Sequence, residues 1–523
     1  MFQRLKALMF VTAMLVILTG LIAFRARSGP AFSVWVASSL VRVGSTDAAG
    51  TLSSIALSGA RGETVDTQVI VQAASGGLTD VNLSASALTG PGGATIPASK
   101  FVFYREHYVT VQGSYNPGGN NPPLGPGTYP EPLIPFVDPQ TGAPLSGSLQ
   151  AVPATVPANQ NQPFWIDLNI PRGATSAPPG AYTGTITVTS NQGNVVIPVT
   201  LTVWNFQLPL QPSERTMFTT WVNTGLPSDA QQRALARNKI FNLNYAPWQA
   251  STFKSQWGLN RANLGAYFGW NFVNCNGSLL NAIPSQSAIA DAVAGYPAGM
   301  PLDLYVSDET IGCSASWDNI KAIADNAHAA GVKVLATIPP DPNLYNYVDY
   351  WVILTKDWPA GLTGIPGSFW SYESCAVGNG GLPRWDIDFP PINERMQAGF
   401  LNQTQGATGL LYYAVDLWSS GDSLASWNNL NTSSCAIPGS GDGTLFYPPT
   451  PIGSSEAAPG IRLKAIRDGI QDYEYAQMLK NRGQSAFVNA TLQPIARSWS
   501  DWNHEPSALE DARLQLGQKL NQP

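Results

Sequence analysis

The chain has 523 residues, of which 44% are apolar and only 12% carry a charged side chain. This length favours several domains over a single core, and this apolar content excludes wholesale disorder. The net charge of −6 argues against binding to nucleic acid, which requires clustered lysine and arginine. The 16 tryptophans and 18 tyrosines suit a protein that binds glycans, because aromatic rings stack on the flat faces of sugars.

The first residues have the pattern of an export signal. Arg4 and Lys6 precede an uncharged apolar run at residues 7–24, and Arg25 follows this run directly. No A-x-A cleavage site follows, and the run of roughly 18 residues is at the lower limit for spanning a bilayer. We therefore predict that residues 1–28 are a cleaved signal peptide or an uncleaved membrane anchor. The chain is then exported: extracellular, periplasmic or anchored to the outer side of the cytoplasmic membrane.

Four cysteines, Cys275, Cys313, Cys375 and Cys435, lie in the central region of the sequence. In an exported chain they predict two disulfides. Proximity favours Cys275–Cys313 with Cys375–Cys435, which is one of three possible connectivities. Because no C-x-x-C motif is present and the histidines are scattered, we expect neither a metal site nor an organic cofactor.

The first predicted domain, residues 30–207, has short apolar or alternating runs separated by clusters of glycine, proline and asparagine. Runs such as 67–73, 164–170 and 195–204 predict an all-β sandwich. The proline-marked segment 208–214 is the predicted linker to the next domain.

After the linker, strand-like and helix-like runs alternate, which predicts β-α-β units and a TIM-like (β/α)8 barrel over residues 213–480. The helix-like stretch 317–331 ends on Gly331 and leads into the next apolar run. A strand near 264–274 would complete eight strands with the runs 216–221, 241–248, 302–309, 332–339, 348–354, 368–375 and 409–418.

Two helices are predicted near the C-terminus, at 461–480 and 506–520, and residues 481–523 form a helical extension. Residues with three- and four-residue spacing give the first helix one buried stripe, and charged residues fill its other face. Arg467, Asp468 and Asp472 are expected to tie this helix to the barrel by ion pairs.

The adjacent carboxylates Asp308 and Glu309 end the predicted fourth strand of the barrel, the position where catalytic groups of such barrels lie. Hydrolysis of a glycosidic bond requires a proton for the leaving oxygen and stabilisation of an oxocarbenium-like centre, and carboxyl groups supply both. Neighbouring like charges raise one of the two pKa values, which suits a general acid. An ordinary acidic turn would have the same sequence pattern.

Three motifs resemble glycoside hydrolase family 123: LYVSDET at 304–310, GDGTLFYP at 441–448 and RLKAIRDGIQDYEYAQML at 462–479. The resemblance covers about residues 30–480 and implies a retaining β-N-acetylgalactosaminidase that uses substrate assistance. In that mechanism the 2-acetamido oxygen of the sugar attacks C1. The resemblance implies that Glu309 protonates the leaving oxygen and later activates water, and that Asp308 orients the acetamido N–H.

Glu373, at the end of the predicted seventh strand, opens an alternative. A carboxylate facing Glu309 across the barrel would be the nucleophile of a double-displacement glycosidase, although it could equally be a supporting hydrogen-bond partner. Asp416 and Trp418 are placed at the end of the eighth strand. The side chains that could line a sugar site, or simply pack inside the barrel, are Trp370, Tyr372, Tyr413, Asp416 and Trp418.

The sequence thus predicts an exported glycosidase whose partner is a glycan, with a β-linked N-acetylhexosaminide as the first substrate to test. A non-catalytic glycan-binding or envelope-structural protein on a hydrolase fold remains the alternative from a different class, because a fold does not establish activity.

Overall fold

The computed structural model describes residues 32–116, 118–221, 229–374, 380–428, 430 and 440–522. The predicted signal or anchor, residues 1–28, lies outside this range. Among the described helices, none combines the length and the apolar character needed to cross a membrane. The boundaries that we predict between domains remain predictions.

The N-terminal part forms two β-sheets that share one apolar core. In spatial order, the first sheet contains the antiparallel strands Phe32–Ala37, Thr64–Ala73, Asn161–Asn169, Phe101–Val111 and Gly127–Pro135. The second sheet has the order Ile55–Arg61, Gly193–Gln207, Gly180–Ser190, Leu78–Ala85 and Ala154–Val156, with the short strands Leu88–Thr89 and Thr95–Ile96 at its side. Two 3-10 turns, Pro91–Gly93 and Ala98–Lys100, interrupt this part of the chain.

Alternating burial explains why these segments are strands. Along Gly193–Gln207, every second residue between 197 and 203 is buried, whereas residues 198, 200 and 202 are exposed. Successive side chains of a strand point to opposite faces, so this pattern puts one apolar face against the other sheet. The buried side chains are Ile197, Val199, Leu201 and Val203.

The central part contains a seven-stranded sheet in which every pairing is parallel. Its spatial order is Arg215–Phe218, Ala407–Tyr412, Ser368–Glu373, Tyr350–Leu354, Lys333–Thr337, Leu302–Asp308 and Ala262–Asn263. Isolated parallel bridges join Phe218 to Asn242 and Asn244 to Asn263. The sheet is therefore curled, and its two edge strands are linked through residues 242–244.

The connections between these strands are uneven. The α-helices of this part are Ala230–Arg237, Pro247–Trp257, Gly265–Phe268, Gln286–Val293, Trp317–Ala329, Ile392–Met396, Asn402–Gln405 and Ala425–Asn428, with a π-helical segment, Gln397–Leu401, inside the helical stretch 392–405. Two connections, 338–349 and 355–367, contain only the 3-10 turns Pro342–Leu344 and Thr355–Asp357. Both are rich in proline or glycine, which end helices.

The predicted (β/α)8 barrel is therefore not confirmed. The run 241–248 forms no regular strand, because Pro247 already begins a helix, for which its fixed φ is suited. The strand expected near 264–274 is the two-residue strand Ala262–Asn263, and the chain then turns at Gly269 and Asn271, which have φ values of 80° and 54°. The last strand ends at Tyr412, so Asp416 and Trp418 lie beyond it.

The disulfide Cys275–Cys313 is confirmed. It joins the loop that follows the strand Ala262–Asn263 to the loop that follows Leu302–Asp308. The second predicted pair cannot be compared, because Cys375 and Cys435 lie outside the described residues.

The C-terminal part contains the helix Ile461–Asn481, the helix Ser485–Leu492, a hairpin of Ala496–Ser498 and Asp501–Trp502, and the helix Pro506–Asn521. Just before it, the short strands Phe446–Tyr447 and Ala458–Pro459 pair around the 3-10 turn Thr450–Ile452. Pro506–Asn521 packs closely on the sandwich: a Cβ at Gly517 would lie 1.1 Å from the ring of Trp204.

The helix Ile461–Asn481 is buried along most of its length: 17 of its 21 residues are buried, including six with charged side chains at positions 462, 464, 467, 468, 472 and 474. The predicted single buried stripe is therefore wrong, because charged residues of the other face are buried as well. Five of these six side chains form ion pairs, and Glu474 accepts hydrogen bonds from Ser213, which compensates for their burial.

The ion pairs of this helix differ from those predicted. Arg467 binds Asp66 at 2.5 Å and Asp167 at 2.8 Å, and both partners are on sandwich strands rather than in the barrel. Of the three residues that we predicted to pair with the barrel, Asp472 forms a described ion pair with the central part, with Arg395 at 2.7 Å. The helix thus holds the sandwich and the central sheet together.

We expect Arg467→Leu to destabilise the protein by about 3–5 kcal/mol, because the change leaves carboxylates buried without their cation. Urea unfolding followed by tryptophan fluorescence measures the change. Arg497→Ala is the control: its pair with Asp501 is half exposed and should leave the unfolding midpoint unchanged. Equal midpoints for Arg467→Leu and the wild type would show that the pairs do not join the two parts.

Candidate active site

Asp308 and Glu309 lie at the C-terminal end of the strand Leu302–Asp308, as predicted. Asp308 is half-buried and Glu309 is exposed. Two backbone features orient them. Val306 is an extra residue in the pairing with the neighbouring strand, because Tyr305 pairs with Leu335 but Ser307 pairs with Ala336. Glu309 has a φ of 51°, in the left-handed region that is uncommon for residues with a side chain.

The extra residue changes which side chains meet. Residues three apart in a regular strand point to opposite faces, but here the Tyr305 hydroxyl donates to Oδ1 of Asp308 at 2.6 Å. A β-bulge re-aims side chains in this way and is frequent next to active sites. Burial, and after it the Asp308 carboxylate, raises the pKa of Tyr305 well above its ordinary value, so its hydroxyl remains a donor.

Thr337 holds both carboxylate residues from the end of the neighbouring strand, Lys333–Thr337. Its hydroxyl donates to Oδ1 of Asp308 at 2.8 Å and accepts the backbone N–H of Glu309 at 3.1 Å. On the other side, Oδ1 of Asn271 accepts the backbone N–H of Asp308 at 3.1 Å. The pair is therefore fixed through its backbone as well as its side chains.

Tyr372 contacts Glu309 directly. Its hydroxyl donates to Oε1 of Glu309 at 2.7 Å from the strand Ser368–Glu373, two strands beyond Lys333–Thr337 in the sheet. Burial, followed by the Glu309 carboxylate, raises the pKa of Tyr372, so this hydroxyl also stays protonated. Tyr372, one of the predicted sugar-site residues, is thus hydrogen-bonded to the carboxylate pair.

Glu373 is almost completely buried, at 1% exposure. Arg384 is its nearest cation, with Nε 3.9 Å from Oε1, and Oε2 has no hydrogen-bond partner among the described residues. Burial raises the pKa of Glu373 well above its ordinary value; Arg384 opposes this shift, and Asp442 and Asp386 add to it. Burial therefore disfavours the ionised form of this carboxyl.

Two further residues that we predicted to line the sugar site, Trp370 and Trp418, are buried and have other contacts. Trp370 is fully buried in the core, where Gly409 packs against its ring and the Arg261 guanidinium lies 5.5 Å from the ring centre. Trp418 is buried and donates from Nε1 to the carbonyl of Phe446 at 2.8 Å.

A second group of polar side chains follows the strand Ala407–Tyr412 in the chain: Tyr413, Asp416 and Asp442. Asp416 is buried and accepts the backbone N–H of Trp221 at 2.7 Å. Tyr413 is half-buried and donates to Asp442 at 2.6 Å, and Tyr412 donates to the other oxygen of Asp442 at 3.0 Å. Asp442 thus binds two tyrosines in addition to lying between the turn glycines 441 and 443, which have positive φ.

Sequence reasoning missed Tyr305, Thr337, Asn271, Trp221 and Trp270. Trp270 stacks on Tyr305 with 5.9 Å between ring centres, and Trp221 meets Trp270 edge-on at 5.9 Å. Trp221, the last residue of the first strand-like run, was detectable as an aromatic at a strand end. Tyr305 was not, because only the bulge turns it toward Asp308.

Among the described residues, no group of three or more histidine, cysteine, aspartate or glutamate side chains is arranged to hold a metal ion. The chemistry of this site, as described, therefore consists of a carboxylate pair, hydroxyl donors and aromatic rings.

Comparison with known proteins agrees with the fold described above. Residues 45–190 match the glycoside hydrolase 123 N-terminal domain. The fold is similar to that of a family 123 glycoside hydrolase from Clostridium perfringens, studied for glycolipid glycan hydrolysis, with a TM-score of 0.63 and 14% identity over 94% of this chain and 97% of that chain. At this identity the similarity shows the fold.

Similarities to two β-glucuronidases are too weak to support an inference. β-Glucuronidase 3 from Bacteroides uniformis has a TM-score of 0.29 and 9% identity, covering 84% of this chain and 52% of that one. The enzyme from Parabacteroides merdae has a TM-score of 0.30 and 10% identity, covering 77% and 51%. No curated sequence matches the chain. Residues 45–190 are thus similar to the glycoside hydrolase 123 N-terminal domain, and the chain as a whole shares the fold of a family 123 glycoside hydrolase.

Proposed function

We propose that this chain is an exported glycosidase that cleaves β-linked N-acetylhexosaminides, GalNAc-like in the first instance, by substrate-assisted retention. The observation that carries the proposal is the Asp308–Glu309 pair, held by Tyr305, Thr337 and Tyr372 at the C-terminal end of a parallel strand. The two carboxylates have different environments: Asp308 accepts hydrogen bonds from two hydroxyl groups, whereas Glu309 is exposed and accepts one.

Glu309 is the proposed general acid and base. Tyr372 donates to its Oε1, which leaves Oε2 to carry the proton for the leaving oxygen. As the glycosidic bond breaks, that proton moves to the leaving group and the acetamido oxygen bonds to C1. The Glu309 carboxylate then takes a proton from water as the water oxygen attacks C1. The bond between C1 and the acetamido oxygen breaks, which restores the acetamido group, and the acid is regenerated.

Asp308 is the proposed orienting group. Its carboxylate accepts the acetamido N–H, which aligns the acetamido oxygen with C1 and balances the positive charge that develops on the ring. Oδ1 is occupied by Tyr305 and Thr337, so Oδ2 is the oxygen for the substrate. Because both donors are fixed, the carboxylate needs little reorganisation during the reaction.

The burial of Glu373 favours substrate assistance over double displacement. A nucleophilic carboxylate must be ionised and must reach C1, but Glu373 is buried and its pKa is raised well above the ordinary value. The acetamido group of the substrate supplies a nucleophile without this cost. In this scheme Glu373 supports the strand end next to Tyr372.

The finer architecture and the location are part of the same proposal. We infer that the curled sheet is a (β/α)8 barrel whose second strand is reduced to the bridges at 242 and 244. Residues 30–207 would be the sandwich, 213–480 the catalytic domain and 481–523 the C-terminal extension. Residues 1–28, with their apolar run at 7–24, would export or anchor the chain.

Glu309→Gln removes the proton donor, so kcat/KM for substrates with poor leaving groups should fall by roughly 10²–10⁴-fold. Activated aryl glycosides should lose less, because their leaving groups need little protonation. Glu510→Gln, in the other adjacent acidic pair of the chain, is the matched control and should retain full activity. Equal and mild losses for both substrate types would assign the acid to another residue.

Thr337→Val removes the hydroxyl that holds both carboxylate residues, so kcat should fall roughly 10- to 100-fold while KM changes little. Thr337→Ser should restore most of the rate and the wild-type pH profile. Thr355→Val is the matched control: Thr355 is equally buried beside a neighbouring strand, and its hydroxyl has no partner among the described residues. A comparable loss in both valine variants would refute the positioning role.

Substrate assistance predicts tight competitive inhibition by a 2-acetamido thiazoline, which resembles the cyclic intermediate. Asp308→Ala should weaken this inhibitor together with catalysis, whereas Glu373→Gln should leave a substantial rate. If Glu373 is the nucleophile instead, a 2-fluoro glycoside should leave a covalent ester on its peptide, visible by mass spectrometry, and substrates without the acetamido group should be cleaved.

The assay panel should include aryl N-acetylhexosaminides and glycolipid glycans, the substrate class named for the Clostridium perfringens enzyme. Absence of turnover on the whole panel, with glycan binding intact, would favour the non-catalytic glycan-binding protein.

A further inference from the structure

A chain of aromatic rings leads away from the carboxylate pair. Tyr305 donates to Asp308, Trp270 stacks on Tyr305, and Trp221 contacts Trp270 edge-on, with less than 6 Å between successive ring centres. Exposure increases along the chain: Tyr305 is 6% exposed, Trp270 is half-buried and Trp221 is 52% exposed. The rings therefore lead from the buried Tyr305 to the solvent.

Trp221 is exposed but firmly held. Its backbone N–H donates to Oδ1 of Asp416 and its indole N–H donates to the carbonyl of Tyr413, both at 2.7 Å. An exposed indole normally retains rotamer freedom, and fixing it costs entropy. A rigid, exposed aromatic surface of this kind binds a ligand at low entropic cost, because it is already ordered.

The position of Trp221 in the fold also points to a ligand. The described part of the central domain has seven large apolar side chains that are exposed, and each follows the C-terminal end of a parallel strand or of the bridged segment 242–244. They are Trp221, Trp248, Tyr267, Leu279, Leu280, Ile311 and Leu424. Trp221 follows the C-terminal end of the strand Arg215–Phe218, and Asp308 and Glu309 lie at the same end of this parallel sheet.

We propose that Trp221, edge-packed on Trp270, forms a subsite that stacks a neutral sugar ring of the leaving group. The inference rests on the proposed hydrolase function and adds the class of its leaving group. The cleaved sugar lies against the buried Tyr305 and Tyr372, so the half-exposed Trp221 faces the part of the substrate that extends into solvent.

The charges around the rings specify a neutral ligand. A carboxylate accepts a hydrogen bond at each end of the chain of rings. Asp308 accepts from the Tyr305 hydroxyl, and Asp416 accepts from the backbone N–H of Trp221. They repel a sulfated or uronic sugar. The C–H face of a neutral hexopyranose stacks on an indole without needing a counter-ion.

The test compares substrates that differ only in the leaving group: a β-N-acetylhexosaminyl-galactose disaccharide and the methyl glycoside of the same N-acetylhexosamine. Trp221→Ala should lower kcat/KM for the disaccharide by about 10-fold, equivalent to ~1.4 kcal/mol, on the scale of aromatic contacts. Its kcat/KM for the methyl glycoside and its thiazoline inhibition constant should stay within about 2-fold of the wild type, since neither ligand reaches the subsite.

Trp248→Ala is the matched control, because Trp248 is a comparably exposed tryptophan, at 63%, on the helix Pro247–Trp257 and outside the described chain of ring contacts. It should leave both substrates unaffected, and Trp221→Phe should recover part of the disaccharide rate. Equal losses on both substrates, or a weakened thiazoline, would overturn the proposal by assigning Trp221 to the cleaved sugar. A wild type that hydrolyses neither substrate would refute the proposed function itself, and this inference with it.

Discussion

The buried ion pairs of the helix Ile461–Asn481 are the interaction on which the rest of the structure depends. Arg467 joins Asp66 and Asp167 of the sandwich, and Asp472 joins Arg395 of the central part. Close backbone contact accompanies these pairs: a Cβ at Gly469 would lie 2.6 Å from the carbonyl of Arg395. Because removing one partner would leave a buried charge unpaired, the sandwich and the curled sheet are held in one arrangement.

Within that frame, the candidate site depends on backbone geometry more than on the number of charges. The extra residue Val306 turns Tyr305 toward Asp308. The positive φ of Glu309 ends the regular alternation of side chains along the strand and so changes the direction of the Glu309 side chain. A residue in this region costs of order 1–3 kcal/mol and persists only where its surroundings hold it. Thr337 and Tyr372 supply hydrogen bonds that do so.

The carboxyl groups of the candidate site differ in environment from three carboxyl groups that are buried outside close ion pairs. Asp308 and Glu309 are half-buried and exposed, and each accepts hydroxyl donors. Glu373 is buried with a raised pKa, and burial likewise raises the pKa of Glu106 and of Glu394 to about 8. Burial disfavours the ionised form of these three carboxyls, so the same residue type occupies two different environments in one molecule.

The sequence by itself determined which segments are strands and helices where the apolar period is clear, as in 195–204 and 461–480. It also indicated Asp308–Glu309 as candidate residues and favoured Cys275–Cys313 among three connectivities. These features are local, so residue order is enough to reveal them. Tertiary structure decided the rest. The partners of Arg467, the meeting of Tyr305 with Asp308 and the burial of Glu373 all depend on residues distant in sequence or on a bulge. Periodicity carries no information about such contacts, because it describes one element at a time.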